Sequence, residues 1–481
     1  MQPYPPLGTL YAASTLRTVG ISVAVFDPML QDPWSGFAEA MEQHNPRIVV
    51  IYEDDFNFLS KMCLTRMREV ALQLVCLART KGAIVVAHGS DASDHAAEYL
   101  FNGVNYILLG EAEDTLAELC TSLLLNREPG AIAGMLRLNV SGHLATNDLR
   151  PPVNPRWINL PMPARELIDL EPYRKAWTEA HGYFSINMVS SRGCPYRCNW
   201  CAKPISGNRF QVRPAEMVAA EIRELKELYG VEHIWFGDDV FALNHHWIED
   251  FAAEMVIKNA VLPFKIQTRA DLMNDSTVSA LRRAGCTEVW MGVESGSQQI
   301  LDAMDKGLQV SKVRVARKLL EDAGIRACYF LQFGYPGETW EDIQQTVELV
   351  RSSRPDDVGI SLSYPLPGTS FYEQVRAQLG SKRNWTDSDD LCLMFKAAYT
   401  DQFYRAVRDS VHAEVNSWRS TPCSPDEDRS PVALWQKVVQ METVSRNGEA
   451  TVLHRDSPRN DVRHASSFVP VQHLATNLTD I

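Results

Sequence analysis

Short apolar runs alternate with amphipathic stretches from near the start of the chain to about position 380. Within residues 1–120, Ile21–Asp27, Arg47–Tyr52, Ala83–His88 and Val104–Leu109 are brief and apolar, as strands buried on both faces are. Between them, Gly8–Thr18 and Met62–Arg79 read as helices. This alternation predicts a doubly wound α/β unit with ligands at the carboxyl ends of its strands. A proline-dense stretch follows, Pro151-Pro152-Val153-Asn154-Pro155 and Pro161-Met162-Pro163, where neither regular helix nor central strand can form. Residues 121–183 are therefore expected to be a linker.

A second series runs over residues 184–380. Its expected strands are Ile186–Ser190, His233–Phe236, Phe264–Thr268, Glu288–Val293, Arg326–Phe333 and Asp357–Ser363. Val218, Ile222, Leu225 and Tyr229 form one helical stripe that Gly230 stops, and Thr339-x-x-Asp342 caps a later helix. Six βα units predict a partial (β/α)6 TIM barrel, with chemistry at the strand carboxyl ends. Trp385–Trp418 is expected to be helical, giving a small helical C-terminal region at 381–420. Residues 421–481 turn polar and irregular and are expected to be disordered or loosely attached. The fold class is thus α/β: a flavodoxin-like (Rossmann-type) unit, then the partial barrel, then the helical region.

The composition of the 481 residues is ordinary, 45% hydrophobic and 22% charged, and the formal charge of −13 excludes a nucleic-acid backbone as the main partner. No apolar run reaches the length of a membrane span, and the first residues lack a signal-peptide pattern, so a cytoplasmic location is expected. Seven of the ten cysteines are scattered singly: Cys63, Cys76, Cys120, Cys286, Cys328, Cys392 and Cys423. Cys286 and Cys328 read as small buried hydrophobes, and a reducing compartment follows.

The other three fall within eight residues, in Gly193-Cys194-Pro195-Tyr196-Arg197-Cys198-Asn199-Trp200-Cys201. Three thiolates can hold three irons of a cubane cluster and leave the fourth open to a small molecule. The alternatives are unrelated cysteines or zinc, and zinc would want a fourth Cys or His nearby, whereas the next histidine is His233. The spacing C-x3-C-x2-C, with an aromatic before the last cysteine, resembles the cluster loop of the radical S-adenosylmethionine (SAM) enzymes. That resemblance implies that Cys194, Cys198 and Cys201 bind a [4Fe–4S] cluster and that SAM chelates the open iron. One electron, from a reductant such as flavodoxin or ferredoxin, then cleaves SAM to a 5′-deoxyadenosyl radical that attacks a small-molecule substrate.

The remaining strand ends match the same family in order. Gly237-Asp238-Asp239 stands where the family holds the methionine amino group, so Gly237 and Asp238 are assigned there; a solvated acidic loop or helix cap is the alternative. Arg269 could pair with the SAM carboxylate as a bidentate fork, or make a surface salt bridge. Glu294 and Ser295, in Gly292-Val293-Glu294-Ser295-Gly296-Ser297, resemble the ribose segment. Gln332 opens Gln332-Phe333-Gly334-Tyr335-Pro336-Gly337-Glu338-Thr339, which resembles the turn beside the adenine or simply shapes a strand-to-helix turn. Trp200 would pack on the adenine, and Tyr364-Pro365-Leu366-Pro367-Gly368-Thr369 matches the family too.

Pro5-Pro6-Leu7-Gly8 and Leu109-Gly110-Glu111-Ala112-Glu113 are similar to segments of the cobalamin-binding domain that precedes the barrel in one class of this family. The resemblance implies cobalamin contacts at Leu7, Gly8, His88, Gly89, Gly110 and Glu111. The Asp-x-His-x-x-Gly signature for a histidine on cobalt is absent. His88 is therefore a cobalt ligand, a polar group near the cofactor's tail or a loop histidine. The family also places a strand before Pro-Pro-Leu-Gly, so an upstream start encoding that strand is expected, with weaker cobalamin binding without it. Methyl transfer to an unactivated carbon is the activity the resemblance implies. The alternatives are oxidative ring closure, as in the anaerobic magnesium-protoporphyrin IX monomethyl ester cyclase, and a non-catalytic cobalamin or iron–sulfur protein.

Overall fold

Two sheets organise the chain, one in each half of the sequence. The computed structural model describes residues 3–54, 56, 65–150, 160–203, 205–380, 393–418 and 430–446. In the first sheet, β1 (Ile48–Tyr52), β2 (Ile84–His88) and β3 (Tyr106–Leu108) run parallel, and β4 (Met135–Leu138) and β5 (Leu144–Thr146) continue it antiparallel. Helices Leu7–Thr18, Thr65–Thr80 and Glu113–Leu124 belong to this unit.

Two expectations are corrected here. Ile21–Asp27 forms no ladder, although Ile21, Val23 and Phe26 still pack against the apolar clusters flanking the sheet. A strand needs a hydrogen-bonded neighbour, and among the described strands β1 pairs only with β2. The supposed linker, in turn, contains the β4–β5 hairpin. Its turn is signalled by Asn139, whose side chain accepts from the Ser141 and His143 amides at 2.9 and 3.0 Å. Pro151–Pro155 lies outside the described residues.

The second sheet is all parallel, in the order β13-β12-β11-β10-β9-β6. Its members are β6 (Ser185–Met188), β9 (His233–Phe236), β10 (Phe264–Thr268), β11 (Cys286–Glu294), β12 (Arg326–Phe333) and β13 (Asp357–Leu362). Between β6 and β9, a two-stranded ladder of β7 (Ser191–Arg192) and β8 (Gln211–Val212) clasps the segment that holds the cysteine loop. Alternate strand residues, such as Ile234, Phe236, Val289, Met291, Tyr329 and Leu331, belong to the largest core.

The C-terminal region also differs from expectation. Helix Asp401–Ser417 falls inside the expected helical stretch, but the supposedly disordered tail contributes a second helix, Pro431–Val444. Ser430 caps it and Pro431 occupies its first turn. Trp435 donates to Glu414 at 2.7 Å, and Tyr399 donates to Glu442 at 2.6 Å, which ties the helix to its neighbours. Residues 381–392, 419–429 and 447–481 lie outside the described residues.

The two halves meet at the carboxyl end of the first sheet. Trp177 donates to the Pro3 carbonyl at 2.7 Å, Asn187 to that of Pro5 at 3.0 Å, and Leu7, Tyr11 and Val189 share a buried cluster. Arg192, buried two residues before the first loop cysteine, bonds Glu113 and lies 4.0 Å from Glu111. Removing one partner from a buried ion group strands the other charge. Arg192→Met is therefore expected to cost about 3–5 kcal/mol, and adding Glu113→Gln should return part of that loss. Denaturant titration of the two variants against the parent measures both effects.

Candidate active site

The cysteine loop is held by its backbone and by side chains that are not thiols. At Gly193 the backbone takes φ +76°, and a Cβ there would sit 2.2 Å from the Arg209 carbonyl, so only glycine passes. Asn199, between the last two cysteines, is the principal anchor. Its amide N–H donates to the Met304 carbonyl at 3.0 Å, its side chain donates to the Ala303 carbonyl at 2.7 Å, and Tyr335 donates to its Oδ1 at 2.9 Å. The Asn199 carbonyl accepts from Phe371 at 3.0 Å. Lys203 bonds the Tyr196 carbonyl and donates to Asn208 at 2.6 Å.

The thiols of Cys194, Cys198 and Cys201 are half-buried and unbridged. Burial pushes Cys201 up to about 12 and raises Cys194, against the pull of Lys203, so metal uptake here displaces protons. Among the described residues no group of three or more His, Cys, Asp or Glu is drawn together closely enough to hold a single ion. Three thiols on a braced loop suit a cluster bound through three irons.

At the other strand ends, several expected ligands make hydrogen bonds within the protein. Asp238 is buried with its carboxylate accepting from the Ser190 amide at 3.0 Å, the Ser190 hydroxyl at 2.6 Å and the Ser191 hydroxyl. It ties β9 to the start of the cysteine segment. Its exposed neighbour Asp239 is the carboxylate whose charge opposes ionisation of Cys194 and Cys201.

Arg269 is not a free fork. It makes two 2.9 Å bonds to Asp271 and one to the Lys306 carbonyl, and its guanidinium lies 3.8 Å over the Tyr196 ring. Ser295 turns toward Thr346 at 3.1 Å and caps its own turn through Ser297. These bonds brace the strand ends, and the residue letters alone did not show them.

Glu294 pairs with a lysine whose charge Cys198 also favours. It adopts φ +63° where the β11–β12 register shifts, and its carboxylate accepts from Lys306 at 2.8 Å. Lys306, absent from the sequence reading, is buried, and the Cys198 thiol and Glu294 both favour its charge. A lysine just after helix Gln298–Ala303 was the available signal. The Lys306 ammonium lies 6.0 Å from the Trp200 ring, so Trp200, Lys306 and Glu294 share one corner. Gln332 is buried beside β13 with its carbonyl oxygen lacking a donor, and Gly237 leaves 3.4 Å between a notional Cβ and the Phe56 carbonyl.

The cobalamin-side residues gather where the two halves meet. Leu7 is fully buried against Tyr11 and Val189, and the Gly8 amide donates to Asp54 at 2.9 Å. His88 is buried with Nδ1 3.1 Å from the Leu108 carbonyl and its ring 4.3 Å from that of Tyr52. Gly89 lies against Glu53. Gly110 keeps 3.7 Å between a notional Cβ and the Ile205 carbonyl, while Glu111 faces Arg192.

Glu338, in the glycine–proline turn after β12, accepts from the Gly334 amide at 2.7 Å and is otherwise enclosed. Burial, with Asp342 nearby, pushes it up to about 8. The folded state therefore holds this proton more tightly than the unfolded chain does. Its contribution is complete below the ordinary glutamate range and is lost as pH rises through about 8, by about 5 kcal/mol in all. Glu338→Gln keeps the acceptor without the ionisation. Between pH 6 and 9 the parent should lose melting temperature relative to this variant, which thermal melts across that range measure.

Residues 188–350 match the sequence model of the Radical SAM superfamily. An uncharacterized methyltransferase of Pyrococcus horikoshii is 26% identical over 387 residues, covering 79% of this chain and 81% of that one. The anaerobic magnesium-protoporphyrin IX monomethyl ester cyclase of Synechocystis is 24% identical, covering 76% and 72%. The solved structure of the radical S-adenosylmethionine methyltransferase TsrM from Kitasatospora setae, with cobalamin and a [4Fe-4S] cluster bound, superposes with a TM-score of 0.68 at 20% identity, over 80% of this chain and 77% of that one. With the cysteine loop at the mouth of a six-stranded parallel sheet, residues 188–350 of this chain are a domain of the radical SAM superfamily.

Proposed function

We propose that this chain is a cobalamin-dependent radical SAM methyltransferase that modifies an unactivated carbon of a small molecule. The observation that carries this reading is the braced three-thiol loop, set between the mouth of the barrel and the strand ends of the N-terminal unit. Bound there, a [4Fe–4S] cluster with SAM supplies one-electron cleavage of the sulfonium, using an external reductant such as flavodoxin or ferredoxin.

The chain's own residues divide the remaining work. Asn199, Arg269 and Asp238 fix the loop and strand ends, and Lys306 with Glu294 sets a compensated charge beside Cys198. Asp239 is the acceptor this reading gives to the methionine ammonium, and Trp200 offers a ring to the adenine. Cobalamin would rest on Leu7, Gly8, His88, Gly89, Gly110 and Glu111, where it carries the methyl group. His88 acts there as a polar neighbour, since its Nδ1 is engaged by Leu108.

Oxidative ring closure is the second reading, favoured by the similarity to the Synechocystis cyclase over 76% of the chain. Product mass separates the two, a gain of one methyl group against a loss of hydrogen. No described helix is long and apolar enough to cross a membrane.

Anaerobic reconstitution should give about four irons per chain, and replacing Cys194, Cys198 and Cys201 with alanine should abolish the iron–sulfur absorbance. Asp239→Asn should keep that absorbance and the melting temperature while weakening SAM binding by roughly ten- to a hundredfold, the range for one hydrogen bond to a charged group. Calorimetric titration with SAM reads the second effect; undiminished affinity would remove Asp239 from the site.

A further inference from the structure

The inner face of the second sheet carries an aromatic surface that nothing above uses. Trp235, Trp290 and Phe330 occupy the strand positions between residues of the helix-packed core, and none of the three belongs to that core. They therefore point to the concave side of the sheet. Trp235 is already engaged there, with the Tyr4 ring at 4.7 Å and the Lys265 ammonium at 5.6 Å.

Trp290 and Phe330 behave differently. Their rings stack on each other at 4.8 Å with 28° between planes, and Phe330 is 38% exposed in the middle of an interior strand. A phenyl left open on the concave face of a barrel lines a hollow. Two further details keep this pair flat. Gly359 stands opposite Phe330 on β13, where a Cβ would come within 3.0 Å of the Phe330 ring and 3.4 Å of Trp290, so a side chain there would push on both rings. The Trp290 indole N–H donates to Glu288 at 2.7 Å, and Arg326 holds Glu288 in turn at 2.6 Å. The indole is thus pinned by its edge.

The slab lies on the amino-end side of the strand ends that face the cysteine loop. Phe330 lies two residues before Gln332, about 7 Å along the strand, and Trp290 precedes Glu294 on β11. A ring resting on the slab would reach toward the Glu294–Lys306 corner.

We infer that the Trp290–Phe330 pair is the substrate platform and that the substrate presents a flat conjugated ring to it. The inference rests on the reading of the barrel mouth as a radical SAM site, and it adds the class of molecule that site takes. A saturated, puckered ring of the same size would lose face-to-face contact with the slab, whereas a planar one keeps it.

The test uses the full chain reconstituted with cluster, cobalamin and SAM. The probes are 2-naphthoate and its fully hydrogenated counterpart, which match in charge and carbon skeleton, with affinities read by ligand-observed NMR titration. Naphthoate should bind about three- to tenfold more tightly, the range for one aromatic pair. Phe330→Leu should remove most of that preference. Gly359→Ala, which pushes the phenyl off the strand without deleting it, should reduce it as well, and a melting curve on each variant reports whether it has folded. Equal affinity for the two probes, or a preference untouched in a folded variant, would overturn the inference. Formation of 5′-deoxyadenosine by the unaltered protein is followed separately. If it is absent, the underlying radical SAM reading fails; if it is present without a preference for the planar probe, only the platform fails.

Discussion

Thiols can be offered to a metal cluster only if the loop bearing them is held by something else. Here that support comes chiefly from Asn199, whose backbone and side chain engage the end of helix Gln298–Ala303, Tyr335 and Phe371 at once. Arg269, stacked on Tyr196, and the β7–β8 ladder fix the flanks. These anchors come from several βα units, so the loop has its shape only when those units have assembled. Local sequence could not fold it alone, since its apolar residues, Tyr196 and Trp200 among them, find their packing partners only in the barrel core.

Charge compensation is the second organising theme. The barrel mouth buries Arg192 with Glu113 and Glu111, Arg213 and Arg165 with Glu221, and Lys306 with Glu294. Such groups contribute little net stability, but they define geometry because each charge tolerates only its partner's position. The first set joins the two halves of the molecule directly beside the cysteines. The second ties Arg165 and Arg213 to helix Ala215–Tyr229 through Glu221.

Much of this was legible in the chain. All six barrel strands fell where short apolar runs stood, because burial on both faces leaves a strong signal in parallel sheets. The cysteine spacing was equally plain. What escaped were facts set by distant partners. Ile21–Asp27 has a strand's composition and no ladder, and Met135–Thr146 forms a hairpin within a stretch dominated by prolines further on. The internal partners of Arg269, Ser295 and Asp238 escaped for a related reason. A polar residue at a strand end serves a ligand or braces its neighbours, and only Asp271, Thr346 and Ser190 decide which. Lys306 was missed because its partner is twelve positions away, across a turn whose shape depends on Glu294 adopting a left-handed backbone.

That last pair has a consequence for how such a protein can change over generations. Replacing Glu294 alone leaves an ammonium enclosed beside the Cys198 thiol, and replacing Lys306 alone leaves a carboxylate enclosed on a strained backbone. Both single steps pass through a form carrying a lone buried charge, which is costlier than either endpoint. The two positions are therefore free to drift only together. A descendant of this chain with a different residue at one of them should carry a matching replacement at the other, even where the rest of the barrel mouth has diverged.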